Sequence, residues 1–305
     1  MSKVDLSVNL AGMTMKNPVV VASGTFGFGR EYGQFYDLAN LGGICVKGLT
    51  LHQREGNPPP RIAETPMGIL NSVGLQNPGV DGFIEHELPW LKEQDVRIIA
   101  NISGNTPEEY GIMCEKLSKA GVDMIEVNIS CPNVKAGGLQ YGVVPEMAAE
   151  VAAQAKGHSS VPVMVKLSPN VTDITAIAKA VVEAGADAVS LINTIRGMRI
   201  DVNTRRPILK MNTGGLSGPA VLPVAVRMVW EVAQAVDVPI LGMGGVAKGE
   251  DAAQLMLAGA SAVAVGTACF ADPYAPLKVR DGLEEIAARQ GLERVSQLTG
   301  GVQPW

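Results

Sequence analysis

The chain has 305 residues, 47% hydrophobic and 18% charged, with aromatics at only 4%. This composition describes a well-cored globular protein and excludes a disordered one. A net charge of −5 offers no basic footprint for nucleic acid, and no apolar run reaches the roughly 18 residues that a membrane span requires.

In chain order, residues 1–10 alternate polar and apolar types without the apolar core of an export signal. Residues 4–15 are expected to form a small hairpin. Short apolar runs then recur at 19–22, 44–46, 98–102, 124–129, 163–167, 188–192, 240–243 and 262–265. Strands buried on both faces read as near-continuous apolar runs, as these do. One kind of joint leads into alternate runs: Ala120-Gly121-Val122-Asp123, Ala184-Gly185-Ala186-Asp187 and Ala258-Gly259-Ala260-Ser261, with Leu41-Gly42-Gly43 as a degenerate copy. The glycine there suits the left-handed residue that ends a helix. A second kind falls between these, as Val161-Pro162 and Val238-Pro239, with Asp95-Val96-Arg97 lacking the proline.

The intervening segments read as helices. Thr106-Pro107-Glu108-Glu109 has the form of a capping box with Pro at the first helical position, and Ile112, Met113 and Leu117 come next at helical spacing. Residues 174–184, 221–236, 252–258 and 276–289 carry similar patterns. Residues 51–79, rich in Pro and Gly, and 196–217 fit neither helix nor strand. Each comes after a strand end and is expected to form part of a lid. Alternating strands and helices leave a closed barrel or an open doubly wound sheet, and the repeat of two alternating joints favours the barrel. The expectation is one α/β domain over 1–305, a (β/α)8 TIM barrel with inserted loops over the carboxyl face of the strands. The small N-terminal hairpin is expected to plug the barrel floor.

In such a barrel the carboxyl strand ends point at the site. Here they read Ser23-Gly24-Thr25, Lys47-Gly48, Asn101 with Ser103, then Asn128, Ser130, Cys131 and Asn133, then Lys166 with Ser168, Asn193-Thr194, Gly244-Gly245 and Gly266-Thr267. A barrel cored only for stability has no need of amides and two lysines converging on one mouth. The last two ends, rich in glycine, stand where barrels hold a phosphate on bare backbone N–H groups. The run Gly242-Met243-Gly244-Gly245-Val246-Ala247 also fits a dinucleotide fingerprint. That fingerprint wants an acidic residue at the end of the next strand, where this chain has Ala264-Val265-Gly266. The phosphate cradle stands and the dinucleotide site does not.

Lys166 and Lys47 admit three readings: a Schiff-base lysine, a cation facing an anionic ligand, or a structural ion pair. Asn71, Asn128, Asn133 and Asn193 favour the second, because paired amide donors and acceptors complement a planar ring bearing amide or imide groups. A phosphate at one end, a lysine near the ring and amides around it suggest FMN and a flat heterocyclic substrate. The four cysteines show no CxxC pair and no metal-ligand spacing, which suits reduced thiols in a cytoplasmic protein. Cys45, Cys114 and Cys269 read as inert core residues. Cys131 differs, because Pro132 comes directly after it and places it on a loop over the barrel mouth.

With these residues in hand, the chain resembles the dihydroorotate dehydrogenases over essentially its whole length, and within them the type 1B, NAD-linked subfamily. The match is carried by Ala22-Ser23-Gly24-Thr25-Phe26-Gly27, Val46-Lys47-Gly48-Leu49-Thr50, Asn71-Ser72-Val73-Gly74-Leu75-Gln76-Asn77, Asn128-Ile129-Ser130-Cys131-Pro132-Asn133 and Val165-Lys166-Leu167-Ser168-Pro169, and by the C-terminal glycine pairs. The resemblance implies FMN contacted by Ser23, Lys47, Gly48, Asn101, Asn128, Lys166, Ile192, Gly218, Gly244, Gly245, Gly266 and Thr267. It implies dihydroorotate, oxidised to orotate, held by Lys47, Asn71, Ser72, Val73, Gly74, Leu75, Asn128, Asn193 and Thr194, with Asn133 added from its motif. It assigns Cys131 as the base that takes the C5 proton while C6 gives hydride to the flavin, and it sets Lys166 beside the flavin's developing negative charge.

Type 2 members carry Ser in place of Cys131 and an N-terminal membrane-associating extension that this sequence lacks. With neither a dinucleotide fingerprint nor iron–sulfur cysteine spacing, transfer to NAD needs a second polypeptide. The resemblance implies an iron–sulfur electron-transfer subunit bearing FAD and [2Fe–2S], in a heterotetramer of two of each chain. The alternatives are a type 1A homodimer that reduces fumarate, and a non-redox barrel that binds a phosphate.

Overall fold

The computed structural model describes residues 4–129 and 141–305, so Cys131 and Asn133 lie outside the described residues. Eight parallel strands close into a barrel. They are β1 (Val19–Val21), β2 (Gly43–Cys45), β3 (Arg97–Ile102), β4 (Met124–Asn128), β5 (Val163–Lys166), β6 (Ala188–Leu191), β7 (Ile240–Met243) and β8 (Ala262–Val265). Their order around the barrel is their order in the chain, and β8 closes it against β1. Apart from Arg97 at the start of β3, every residue of these strands is buried. That double-sided burial explains why the strands read as near-continuous apolar runs, interrupted at Asn101, Glu126, Lys166 and Ser190.

Helices cover the outside, among them α1 (Pro107–Ala120), α2 (Pro145–Gly157), α3 (Ile174–Glu183), α4 (Leu222–Ala233), α5 (Gly249–Leu257) and α6 (Ala275–Arg289). Thr106 caps α1, its hydroxyl accepting from the Glu109 backbone N–H at 3.4 Å. The return half of the box slips by one residue, since the Glu109 carboxylate accepts from the Asn105 N–H at 2.7 Å. The buried stripe of α1 runs through Tyr110, Met113, Cys114 and Leu117. Ile112, expected on the apolar face, is instead 43% exposed; it sits one position, about 100° of helix rotation, before Met113.

The hairpin Val8–Leu10 with Met13–Met15 covers the amino end of the barrel. Its inward residues Val8, Leu10, Met13 and Met15 are buried, and Arg97 at the foot of β3 donates to the Thr14 carbonyl at 2.9 Å. Gly121, Gly185 and Gly259 take φ of 79°, 103° and 127°, as helix-ending glycines do. Gly42, the degenerate copy, departs from that pattern. A 3-10 turn, Leu38–Asn40, leads into it instead of an α-helix, and a Cβ on Gly42 would stand 2.1 Å from the Asn17 carbonyl oxygen. Close backbone approach, not a left-handed φ, demands glycine there.

Residues 51–79 and 196–217 hold strands after all, contrary to the sequence expectation. Ile62–Thr65, Gly68–Asn71, Ile195–Gly197 and Gly214–Ser217 form one antiparallel sheet of four strands above the barrel mouth. A short hairpin, Ile200–Asp201 with Arg206–Pro207, projects from it. Among the described residues no helix is long and apolar enough to cross a membrane.

Replacing Gly42 by Ala is expected to lower unfolding free energy by about 1–3 kcal/mol through overpacking against rigid backbone. Gly157→Ala, where a Cβ meets nothing within 4 Å, should stay within about 0.5 kcal/mol of the parent. Guanidinium denaturation midpoints measure both, and an unmoved midpoint for Gly42→Ala contradicts the packing.

Candidate active site

The carboxyl ends of the strands and the antiparallel sheet above them enclose a cavity of about 800 Å³, within the range of small-molecule sites. Of the residues singled out for a cofactor, Ser23, Lys47, Gly48, Asn101, Asn128, Lys166, Ile192, Gly218, Gly244, Gly245, Gly266 and Thr267 all line it. Asn71, Val73, Gly74, Leu75, Asn193 and Thr194 line it as well. Ser72 does not. Its backbone N–H donates to the Arg61 carbonyl at 2.8 Å, and among the described residues its buried hydroxyl has no partner. Cys131 and Asn133 lie outside the described residues.

Beneath the floor sits a group that the sequence reading passed over. Glu126, in the middle of β4, is fully buried. Its Oε1 accepts from Ser190 Oγ at 2.7 Å, and its Oε2 accepts from Cys45 Sγ at 3.1 Å and from Asn101 Nδ2. Lys166 Nζ stands 3.7 Å from the same Oε2. The five residues come from β2, β3, β4, β5 and β6, neighbours around the barrel. Burial pushes the Glu126 carboxyl up, but the Lys166 ammonium and the hydrogen bonds from Ser190, Cys45 and Asn101 outweigh it and hold the group below its ordinary value. Lys166 thus combines two of its readings, being ion-paired below and lining the cavity above. An acid two residues before a strand-end Asn, inside an apolar run, was the available signal.

The same logic orients Asn101. A carboxylate only accepts hydrogen bonds, so the amide turns its N–H toward Glu126 and its oxygen the other way. Among the described residues that Oδ1 is buried without a partner, beside Gly48, where a Cβ would stand 2.8 Å from it. Bare glycine at Gly48 leaves room for that oxygen, which a Cβ would crowd.

The walls are fixed locally. Asn77, buried, accepts from the N–H groups of Thr50 and Gly79 at 3.1 and 2.8 Å and donates to Thr50 Oγ1 and the Leu75 carbonyl at 2.8 and 2.7 Å. It holds the 71–79 segment in place, with Gly74 and Leu75 at φ 77° and 57°. Asn193 Nδ2 donates to Asn128 Oδ1 at 3.3 Å, and Tyr110 donates from α1 to the Asn128 carbonyl at 3.0 Å. Thr267 Oγ1 donates to Ser217 Oγ at 2.8 Å, tying the end of β8 to the upper sheet. At Gly245, φ is 84° and a Cβ would meet Leu222 at 2.7 Å. Gly244 has φ 120°, and a Cβ there would stand 3.0 Å from Ile192. Both positions bring naked backbone to the cavity.

Cys45, Cys114 and Cys269 are buried free thiols. Burial pushes Cys114 and Cys269 up to about 12, and burial with the adjacent Glu126 charge pushes Cys45 well up.

A family model described as Dihydroorotate dehydrogenase matches residues 5–287. The chain is similar to proteins named "Dihydroorotate dehydrogenase B (NAD(+)), catalytic subunit" in several bacteria. That of Geobacillus kaustophilus is 56% identical over 296 residues, covering 97% of this chain and 95% of the relative. That of Anoxybacillus flavithermus is 55% identical over 296 residues with the same coverage. The Alkaliphilus metalliredigens protein is 54% identical over 302 residues, covering 99% of this chain and 100% of the relative.

At pH 8 the three buried thiols are expected to resist iodoacetamide in the native protein and to react once the chain is unfolded, with native rates at least about a hundredfold lower. Peptide mass spectrometry reads the outcome, and native labelling of any of the three contradicts their burial.

Proposed function

The chain belongs to the dihydroorotate dehydrogenase family, and we propose that it oxidises dihydroorotate to orotate in pyrimidine biosynthesis, with FMN held in the cavity over the barrel mouth. The observation that carries this reading is one cavity combining a lysine, a buried acceptor without a partner among the described residues, and bare glycine backbone at adjacent strand ends. Those residues fit the group. Asn101 and Lys166 offer an acceptor and a cation to the polar edge of the flavin ring, with Ser23, Lys47, Gly48, Asn128, Ile192 and Gly218 around it. Gly244, Gly245, Gly266 and Thr267 suit its phosphate. When bound, FMN supplies the acceptor for hydride from C6 of the substrate.

The rest of the chemistry falls to the chain. Lys47 pairs with the substrate carboxylate, and Asn71, Asn128, Asn193 and Thr194 take its amide edges, with Val73, Gly74 and Leu75 closing over it. Asn133 and Cys131, outside the described residues, complete the set on the strength of their sequence motif. Cys131 takes the C5 proton. An ordinary thiol has a pKa near ~8.5, so only a few per cent is thiolate at pH 7. The positively charged Lys166 stabilises the charge that hydride transfer brings to the ring.

The relatives are named as catalytic subunits of an NAD-linked enzyme, which implies a separate partner. We infer an iron–sulfur subunit carrying FAD and [2Fe–2S], two of each chain in the assembly. This chain itself shows no dinucleotide fingerprint or cluster-type cysteine spacing.

Anaerobic addition of dihydroorotate to the FMN-loaded chain should bleach its visible absorbance; a colourless protein that rejects FMN overturns the reading. Cys131→Ala should keep FMN and orotate binding but slow flavin reduction at least about a hundredfold, and near-normal single-turnover reduction removes Cys131 as the base. The isolated chain should turn over poorly with both fumarate and NAD until the partner is added. Brisk fumarate turnover overturns the proposed partner.

A further inference from the structure

Glu126 lies outside the cavity lining, yet it touches two of the groups that shape the cavity floor. A buried carboxylate with a single role in packing would be costly, because isosteric apolar residues do that work without charge desolvation. Its partners instead divide by position. All four are buried, but Ser190 and Cys45 are not among the residues lining the cavity, while Asn101 and Lys166 are.

We propose that Glu126 is a positioning residue for the flavin, turning the Asn101 oxygen and the Lys166 ammonium together toward the cavity as an acceptor beside a cation. That pair is the complement of an imide edge, a ring N–H next to a C=O. The inference rests on the FMN reading above and adds the group that sets the polarity of the floor. Were Glu126 uncharged, the Asn101 amide would lose its one-sided constraint and either end could face the ligand. Lys166 would lose the charge that fixes its place.

The test uses full-length chain stripped of flavin and titrated with FMN and with 3-methyl-FMN, which lacks the imide N–H. The parent should prefer FMN at least about tenfold, as sites built around a hydrogen bond reject analogues lacking it. Glu126→Gln should lower that preference severalfold and weaken FMN binding about tenfold, and Glu126→Asp, which keeps the charge, should restore part of both. Lys166→Met should cost far less affinity in the Glu126→Gln background than in the parent, since coupled neighbours are not additive. Should Glu126→Gln fail to fold, Ser190→Ala carries the test, because it removes one donor to the carboxylate without touching the cavity. A preference lowered threefold or more in that variant supports the role, and an unchanged preference overturns it. Unchanged preference and strictly additive effects in a folded Glu126→Gln protein also overturn it. A parent chain that binds neither flavin sinks the functional reading instead, so the two failures are distinct.

Discussion

A carboxylate in the interior of a closed barrel has no water to solvate it, and the lower half of the site is arranged around that constraint. Glu126 meets it with three hydrogen-bond donors and one cation drawn from four other strands. Leaving such a charge unpaired costs about 3–5 kcal/mol, so the five strands from β2 to β6 are tied to one register. Register sets Asn101 directly opposite Glu126 on β3 and β4, and sets Lys166 opposite Asn128, two residues further along β4 from Glu126. A slip of one residue in any of these strands would turn its polar group to the opposite face.

The upper half obeys a different rule. Its wall is the antiparallel sheet assembled from two distant stretches, packed within itself and against Thr194 at the end of β6 by glycines that tolerate no side chain. A Cβ on Gly215 would stand 2.0 Å from Thr194 Oγ1, and one on Gly214 would meet the Asn71 carbonyl at 2.6 Å. These approaches carry the strand Gly68–Asn71 over the mouth, while Asn77 and Thr267 anchor the edges. A rigid polar floor and a loop-derived wall therefore meet at the cavity, with the wall built from local turns and short pairings.

Legibility in the sequence divides along the same line. The barrel strands were legible because burial on both faces leaves a continuous apolar run, and the helix ends because Gly121, Gly185 and Gly259 need left-handed backbone. The upper sheet was not, since strands of three or four residues carry too little periodicity and the pairing that joins its two halves, Gly214–Ser217 with Gly68–Asn71, spans distant parts of the chain. Gly42 looked like another helix end because a glycine demanded by close approach and one demanded by φ are spelled alike. Among the described residues, most of the strand-end set came together in one cavity, though Ser103 and Ser168 do not line it, and neither does Ser72, whose place in a run of contacts hid the fact that alternate residues of an extended segment face opposite ways. Glu126 escaped notice for the opposite reason: a single acid in a sequence reads as solvated, and only the barrel register shows four partners closing on it.

Both oxygens of that carboxylate are occupied, and this governs what Lys166 can do. Oε1 is taken by Ser190, and Oε2 already accepts from Cys45 and Asn101 within hydrogen-bonding distance. Lys166 stands farther off, at 3.7 Å, held by charge rather than by a hydrogen bond. An ammonium has three N–H donors, and one whose counter-ion is already saturated keeps its donors for whatever fills the cavity. Ser190 and Cys45 therefore act on the site without lining it. By filling the carboxylate they keep Lys166 from hydrogen-bonding to it, so that the floor presents an amine ion-paired from below that also lines the cavity.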